Sequence, residues 1–394
     1  MLRSCLFAFS LFAALSLVAQ DTTSGPWVMQ KSGTTASLRG IHAVGGGVAW
    51  ASGANGTVLR TEDSGFMWQS CSMPPGAEKL DFRGIWAWDA DTAVVMSSGT
   101  GDLSRIYKTT DGCSHWTLLY TNPDKDGFWD AISFEEADSR YGTLLGDPVG
   151  GAFTLLRTTD GGQHWTRVTS ASSPGLAANP STMGAFAASN SSLIFAAQVV
   201  NSINDGNFIF WFGTGGTGGP FVYRGRSVCD PQGYHKDPEH CSVRWDVSAD
   251  HVPLASGKSS TGAFSLSVLD GDEAIHHAVV VGGDYAQPGL SSGTAAYWDE
   301  KDQRWTPAAK PPGGFRSAVQ ILPNSATVEE HDHAVWIAVG TNGSDMSEDG
   351  GKTWSPLDKG SWNALSLPWV VGPNGRIAKL DEGRLPASSS QRGQ

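Results

Sequence analysis

Apolar and polar residues exchange along this chain in short runs, cut at close intervals by Gly, Asp and Asn, and no stretch holds a helical period for any length. The pattern predicts many short strands joined by tight turns. Composition points the same way: 49 Gly and 16 Trp beside only 17 % charged residues describe strands, turns and aromatic packing. One run is different. Met1-Leu-Arg-Ser carries a single positive charge and leads into an apolar stretch from Cys5 to Ala19, too short to span a bilayer, which reads as a signal peptide over residues 1–20. The mature chain is expected to begin near Gln20 or Asp21. No later segment approaches about eighteen uninterrupted apolar residues, so an exported protein without a helical anchor is expected.

Four segments share the pattern Ser/Thr-x-Asp-x-Gly-x-x-Trp, known as the Asp-box. They run Thr61 to Trp68, Thr109 to Trp116, Thr158 to Trp165 and Ser347 to Trp354. In such a segment Asp accepts N–H groups across a turn, Gly supplies positive φ, and Trp opens the next strand and plugs the sheet. Asp63, Asp111 and Asp160 fall 48 and 49 residues apart, and Asp349 lies 189 beyond Asp160, close to four more periods. The period suits a four-stranded propeller blade. Lys301-Asp-Gln-Arg-Trp305 reads as a decayed box, and Phe221 to Trp245 as one whose turn is replaced by an insertion.

Each period also opens on an innermost-strand signature. These are Leu38-Arg-Gly-Ile41, Phe82-Arg-Gly-Ile85, Trp129-Asp-Ala-Ile132, Met183-Gly-Ala-Phe186, Thr261-Gly-Ala-Phe264, Phe315-Arg-Ser-Ala318 and Trp362-Asn-Ala-Leu365, seven in all. The last blade stops before its outer strand, and Pro26-Trp27-Val-Met-Gln30 supplies it. The expectation is an all-β, seven-bladed β-propeller over 21–385, closed by pairing of the N-terminal strand with the last blade. A Ser-rich, disordered tail follows over 386–394.

With Gly340 to Trp354 beside them, the boxes resemble the Asp-box (BNR-like) propellers of the photosystem II stability and assembly factor type, over nearly the whole mature chain. Leu145-Gly-Asp-Pro148 and Val281-Gly-Gly-Asp-Tyr285 are similar to stretches of exported bacterial relatives loosely labelled oxidoreductases. No chemistry matching that label is found. Gly213 to Gly219 is a glycine-rich loop without the following helix that phosphate cradling requires, and no cofactor is expected. Asp-boxes also occur in sialidases and glucan-cleaving propellers, so the motif identifies fold more than activity.

A net charge of −12 argues against nucleic acid and anionic membrane as partners. Cys71, Cys113, Cys229 and Cys241 remain after the leader, an even count that in an exported chain suggests two disulfides. Cys229 with Cys241 is the first pairing expected, leaving Cys71 with Cys113. A zinc site on Cys229, His235, His240 and Cys241 is the lesser alternative, and no metal is expected.

In a blade whose strands run outward from the axis, the start of the first strand and the second-to-third turn share one face, and the box turns lie on the other. The face opposite the boxes gathers Arg39, Arg83, Asp130, Gly184, Gly262, Arg316 and Asn363 from first-strand openings, with Asp147, Asp284 and Tyr285 from second-to-third turns. Cationic forks in a polar ring suit a carboxylate, a phosphate or an acidic peptide. The alternative is a collar in which Arg39 and Arg83 pair with Asp130 and Asp147 and seal the channel. Asp147 and Asp284 also fit ordinary turn residues, and Asp345 reads as turn chemistry.

The function expected is a non-catalytic binding or assembly module, a monomer that holds an acidic segment of a protein or peptide partner at this mouth. A glycoside hydrolase, sialidase-like or glucan-cleaving, is the alternative, with a glycan as ligand. The sialidase version lacks a Glu beside Tyr285, and the glucanase version would set Asp130 or Asp147 against Asp284.

Overall fold

Among the described residues the short alternating runs become 28 strands in the computed structural model, grouped as seven antiparallel sheets of four. The structure describes residues 25–136, 138–169, 171–197, 208–229, 243–270, 275–299, 301–323, 325 and 334–386. The expected leader lies outside these residues, as do the tail from 387 onward and Cys241 with its expected bridge to Cys229.

Strand β1 is Trp27–Gln30. The first blade follows as β2 (Leu38–Gly45), β3 (Val48–Gly53), β4 (Val58–Thr61) and β5 (Gln69–Ser70), and the second as β6 (Phe82–Ala87), β7 (Ala93–Ser97), β8 (Arg105–Thr109) and β9 (Thr117–Thr121). The third blade is β10 (Trp129–Phe134), β11 (Gly142–Val149), β12 (Ala152–Thr158) and β13 (Thr166–Arg167). The fourth is β14 (Leu193–Ala197), β15 (Phe208–Gly213), β16 (Phe221–Cys229) and β17 (Val243–His251). The fifth is β18 (Thr261–Asp270), β19 (Ile275–Asp284), β20 (Ala295–Asp299) and β21 (Arg304–Pro307), and the sixth is β22 (Ala318–Ile321), β23 (Trp336–Gly340), β24 (Gly343–Ser347) and β25 (Ser355–Asp358). The seventh takes β26 (Ala364–Ser366), β27 (Trp369–Val371) and β28 (Ile377–Leu380) from the end of the chain and β1 from the beginning. Trp27 sits opposite Leu380 and Gln30 opposite Ile377, so the ring closes as the sequence predicts.

The box segments explain why the third and fourth strands meet where they do. In each, the Thr or Ser hydroxyl donates to the Asp carboxylate at 2.8–3.0 Å, and accepts in turn from the N–H of the residue two past that Asp. The same carboxylate accepts from Met67, His115, His164 and Thr353 N–H groups. The His115 N–H and ring, with Thr109, hold the Asp111 carboxyl down at about 2, and for Asp160, against the burial that raises it, the His164 N–H and ring with Thr158 do the same. The Trp that ends each box is buried, and every blade has a counterpart: Trp68, Trp116, Trp165, Trp245, Trp305, Trp354 and, for the seventh, Trp27. Packed between neighbouring blades with β-branched and aliphatic residues, these indoles supply much of the apolar burial that holds the ring together.

Cys113 occupies a glycine position of the second box with φ of 64°, a backbone region that favours glycine. It is bonded to Cys71 across 42 residues, which staples the end of the first blade to the second. Loss of a bridge closing a loop of that length costs about 2–4 kcal/mol. Cys71→Ser with Cys113→Ser is expected to lose that amount in urea unfolding. Cys71→Ser with Cys113→Gly should recover up to about 1 kcal/mol, because glycine accepts the turn without strain. Equal midpoints for the two double variants would show that the turn carries no strain.

The fourth blade corrects the sequence reading. Its innermost strand is Leu193–Ala197, about ten residues beyond Met183-Gly-Ala-Phe186. The earlier segment instead crosses the axis. Gly184 pairs with Gly215, and Gly215 with Gly262, three backbones in contact where a Cβ on Gly215 or Gly262 would lie within 2.7 Å of its neighbours. The glycine-rich stretch from Gly213 to Gly219 is therefore the close-packed turn from β15 to β16. A single 3-10 turn, Asn190–Ser192, then fills the channel. Asn190 donates from Nδ2 to the Ile85 carbonyl at 2.6 Å and accepts from Ile132 N–H. Ser189 donates to the Ser317 carbonyl, and Ser191 shares a hydrogen bond with Ser265. This plug of small residues is bonded to the first strands of the second, third and fifth blades and to the segment that opens the sixth. On one side of it, Ala185 to Ala188 line a chamber of about 440 Å³. On the other, Asn190 and Ser191 line a separate chamber of about 550 Å³ walled by Ile41, Trp86, Ile132, Leu266, Val319 and Leu365.

Candidate binding site at the channel mouth

The smaller chamber lies on the face opposite the boxes and collects most of the residues singled out in the sequence. Arg39, Arg83, Asp130, Asp147, Tyr285 and Asn363 all line it. Two do not. Arg316 is buried, its Nε donating to Asp345 Oδ2 at 2.7 Å and Nη1 to Asn342 Oδ1 and the Phe315 carbonyl, so it knits the sixth blade instead of facing the cavity. Asp345, which the sequence reads as turn chemistry, is the partner that turns Arg316 inward. Asp284 is buried too; it holds Lys258 Nζ at 2.9 Å and accepts from Ala286 N–H, the turn role weighed for it above. Asn363 lines the chamber while donating from Nδ2 to the Leu38 carbonyl, and so joins the seventh blade to the first.

The sealed collar does not form among the described residues. Arg83 pairs with Asp81, just ahead of its own strand, at 2.8 Å, and donates to the Ala187 carbonyl of the plug segment. Arg39 makes no ion pair among the described residues, and its buried Nε has no partner. Burial and the nearby Arg83 lower the Arg39 guanidinium from its ordinary value, with Asp81 opposing. Both carboxyls move the other way. Burial, then the adjacent Asp147, pushes Asp130 well up, against Arg83 and the N–H groups of Asp147 and Ala187. Burial raises Asp147 to about 6, although Ala185 N–H donates to it at 2.9 Å.

The other half of the chamber is apolar, and sequence reasoning missed it. Phe186 from the plug segment stacks on Phe264 with centroids 3.8 Å apart; Phe264 meets Phe315 edge-on at 4.8 Å and Tyr285 at 6.0 Å. A signal was present: the two openings with Gly in place of a charged residue, Met183-Gly-Ala-Phe and Thr261-Gly-Ala-Phe, both carry Phe two positions later. A Cβ on Gly262 would lie 2.7 Å from the Phe186 ring, so glycine there leaves room for the stack, while one on Gly184 would press on the Asp147 carboxyl at 3.0 Å. The chamber is thus an aromatic wall facing two guanidinium groups and two carboxyls, a shape suited to an anion with an apolar flank.

Neither a protein-family sequence model nor a curated protein sequence matches the chain. Among solved structures it is similar to YCF48 bound to D1 peptide, with TM-score 0.54 and 16 % identity over 94 % of this chain and 98 % of that one. YCF48 from Cyanidioschyzon merolae gives 0.53 and 16 % over 90 % and 98 %. The GH74 xyloglucanase from Xanthomonas campestris gives 0.57 and 14 %, over 92 % of this chain and 55 % of the enzyme. At these identities the likeness is one of fold, and the seven-bladed propeller read from the sequence is the architecture this chain has.

Proposed function

We propose that this protein is an exported binding or assembly propeller that captures an anionic, carboxylate-bearing segment of a protein or peptide partner at the mouth opposite its box turns. The observation that carries the reading is the state of the two arginines. Neither is neutralised by the carboxyls of the chamber, and among the described residues Arg39 Nε stands buried without a partner. A buried donor left unsatisfied costs about 1–3 kcal/mol, which a bound acceptor returns. The fold shared with a propeller solved bound to a peptide supports a peptide ligand. The apolar leader and the Cys71–Cys113 bridge support export.

The test is fluorescence anisotropy of the purified mature chain with labelled peptides, acidic, neutral and basic. Acidic peptides should bind selectively and more weakly at high salt. Arg39→Ala and Arg83→Ala should each raise Kd about tenfold or more, since a hydrogen bond to a charged group is worth about 1.5–3 kcal/mol. Unchanged affinity in both variants would sink the mouth as the site.

One observation favours a glycan-cleaving reading, the presence of Asp130 and Asp147 in one chamber. Asp284, the carboxylate expected across the ring, is occupied by Lys258. Release of reducing sugar from xyloglucan that disappears in Asp130→Asn would establish that reading in place of the first.

A further inference from the structure

Asp130 is only 2 % exposed, yet it lines the chamber and its Oδ2 has no hydrogen-bond partner among the described residues. Every charged or titratable neighbour around it can be named. Asp147 stands beside it from β11, Arg83 and Asp81 belong to the second blade, and Arg39 comes from the first. Tyr285 lines the same chamber. The plug segment from Ala185 to Ala188 presents N–H groups and no titratable side chain, and Asn363 is neutral.

An ionised carboxylate oxygen left buried and unpaired, next to a second carboxyl, is costly; the same oxygen carrying a proton is a donor in search of an acceptor. Arg39 Nε–H is in the same condition in the same chamber. With that proton in place, the free groups on the polar half are donors. We propose that Asp130 is the specificity residue of the mouth: it keeps its proton and donates it to a ligand carboxylate seated between Arg39 and Arg83, while the ligand's apolar group lies on Phe186, Phe264 and Phe315. This rests on the mouth being the binding site and adds to it a ligand class, a carboxylate adjoining an apolar or aromatic group, and a direction of pH dependence. An α-carboxylate titrates near 3.5 and stays ionised from pH 5 to 8. Asp130 and Asp147 are the groups that change, and once they ionise they repel the ligand. Affinity is therefore highest on the acid side and falls as pH rises through the titration of the pair.

The experiment is calorimetric titration of the full mature chain at pH 5, 6, 7 and 8 with three probes. They are 3-phenylpropionate, an acetylated tetrapeptide ending in free-acid phenylalanine, and the same peptide as its C-terminal amide. The wild type is expected to bind the acid probes at least tenfold more tightly at pH 5 than at pH 8 and to ignore the amide. Asp130→Asn keeps a donor that does not titrate, so it should bind with a much shallower profile than the wild type, retaining only the part that Asp147 contributes. Binding of the peptide without the small acid supports the proposal with a chain end as the source. Infrared difference spectra of the wild type on ligand addition should show the shifted carbonyl stretch of a neutral acid, a readout that does not depend on the variant folding. A flat wild-type profile with binding still lost in Arg83→Ala overturns the role of Asp130 and leaves the mouth intact. The full slope kept in Asp130→Asn and removed in Asp147→Asn also overturns it. Failure of every acid probe while acidic peptides bind overturns the ligand class, and failure of all peptides overturns both readings.

Discussion

Trp27→Ala will lower the stability of the folded chain by about 3–5 kcal/mol, the usual loss when a fully buried Trp is truncated. Its indole is buried in the core between the sixth and seventh blades, lies 6.1 Å from the ring of Trp362, and donates from Nε1 to Ser344 Oγ at 2.9 Å. Trp68 immediately precedes the corresponding strand of the first blade and is also buried, but there all four strands follow one another along the chain. In the seventh blade no covalent turn joins β1 to β28; the ladder from Trp27 to Gln30, the bond from Asp381 N–H to the Pro26 carbonyl and the packing of Trp27 and Met29 hold them together. Urea unfolding should show a comparable loss for Trp27→Ala and Trp68→Ala. Hydrogen exchange should separate them, with faster exchange across Ile377 to Leu380 in the first variant alone. Equal protection of that strand in both would mean that the closure does not depend on Trp27.

A loss of similar size is expected on Asp345→Ala, for an electrostatic reason. The side chains of Arg316 and Asp345 are 3 % and 2 % exposed. Removing the carboxylate strands a guanidinium in the interior, which costs about 3–5 kcal/mol. Asp345→Leu with Arg316→Met removes both charges and should restore most of the stability, because an apolar pair of similar volume needs no desolvation of ions. Neither change is expected to alter peptide capture, since Arg316 does not line the chamber. A loss below about 1 kcal/mol for Asp345→Ala would show that water reaches the pair.

These two residues also mark how far the sequence could be read. Trp27 was recognisable because a buried indole at the head of an outer strand repeats once per blade, and ring closure leaves one such place vacant. Arg316 shares its frame with Arg39 and Arg83, aromatic-Arg-small, so position alone assigns all three to the mouth. What separates them is a carboxylate on β24 of the same blade, and nothing in the local pattern says that Asp345 points toward Arg316. The fourth blade fails for a related reason. Met183-Gly-Ala-Phe186 matches Thr261-Gly-Ala-Phe264 because both surround the same stacked rings, Phe186 on Phe264, but one is the start of a strand and the other a crossing of the axis. Periodicity reports that two segments share an environment; it does not report which of them lies in the ladder. The polar half of the chamber was legible because charged residues at strand openings are few. Its aromatic half was not, because a Phe two residues into a strand reads as core.

The plug through the axis has one more consequence. A propeller whose centre is open can let a strand of substrate pass from face to face, or let events on one face be felt on the other through a shared column of water. Here Ser189, Asn190 and Ser191 are tied to backbone and side chains on several sides. The molecule is a two-sided dish: an extended ligand must end, or fold back, at the floor of the mouth, and the chamber beneath, where Glu135 and Glu136 join the apolar wall, is reached from the other face.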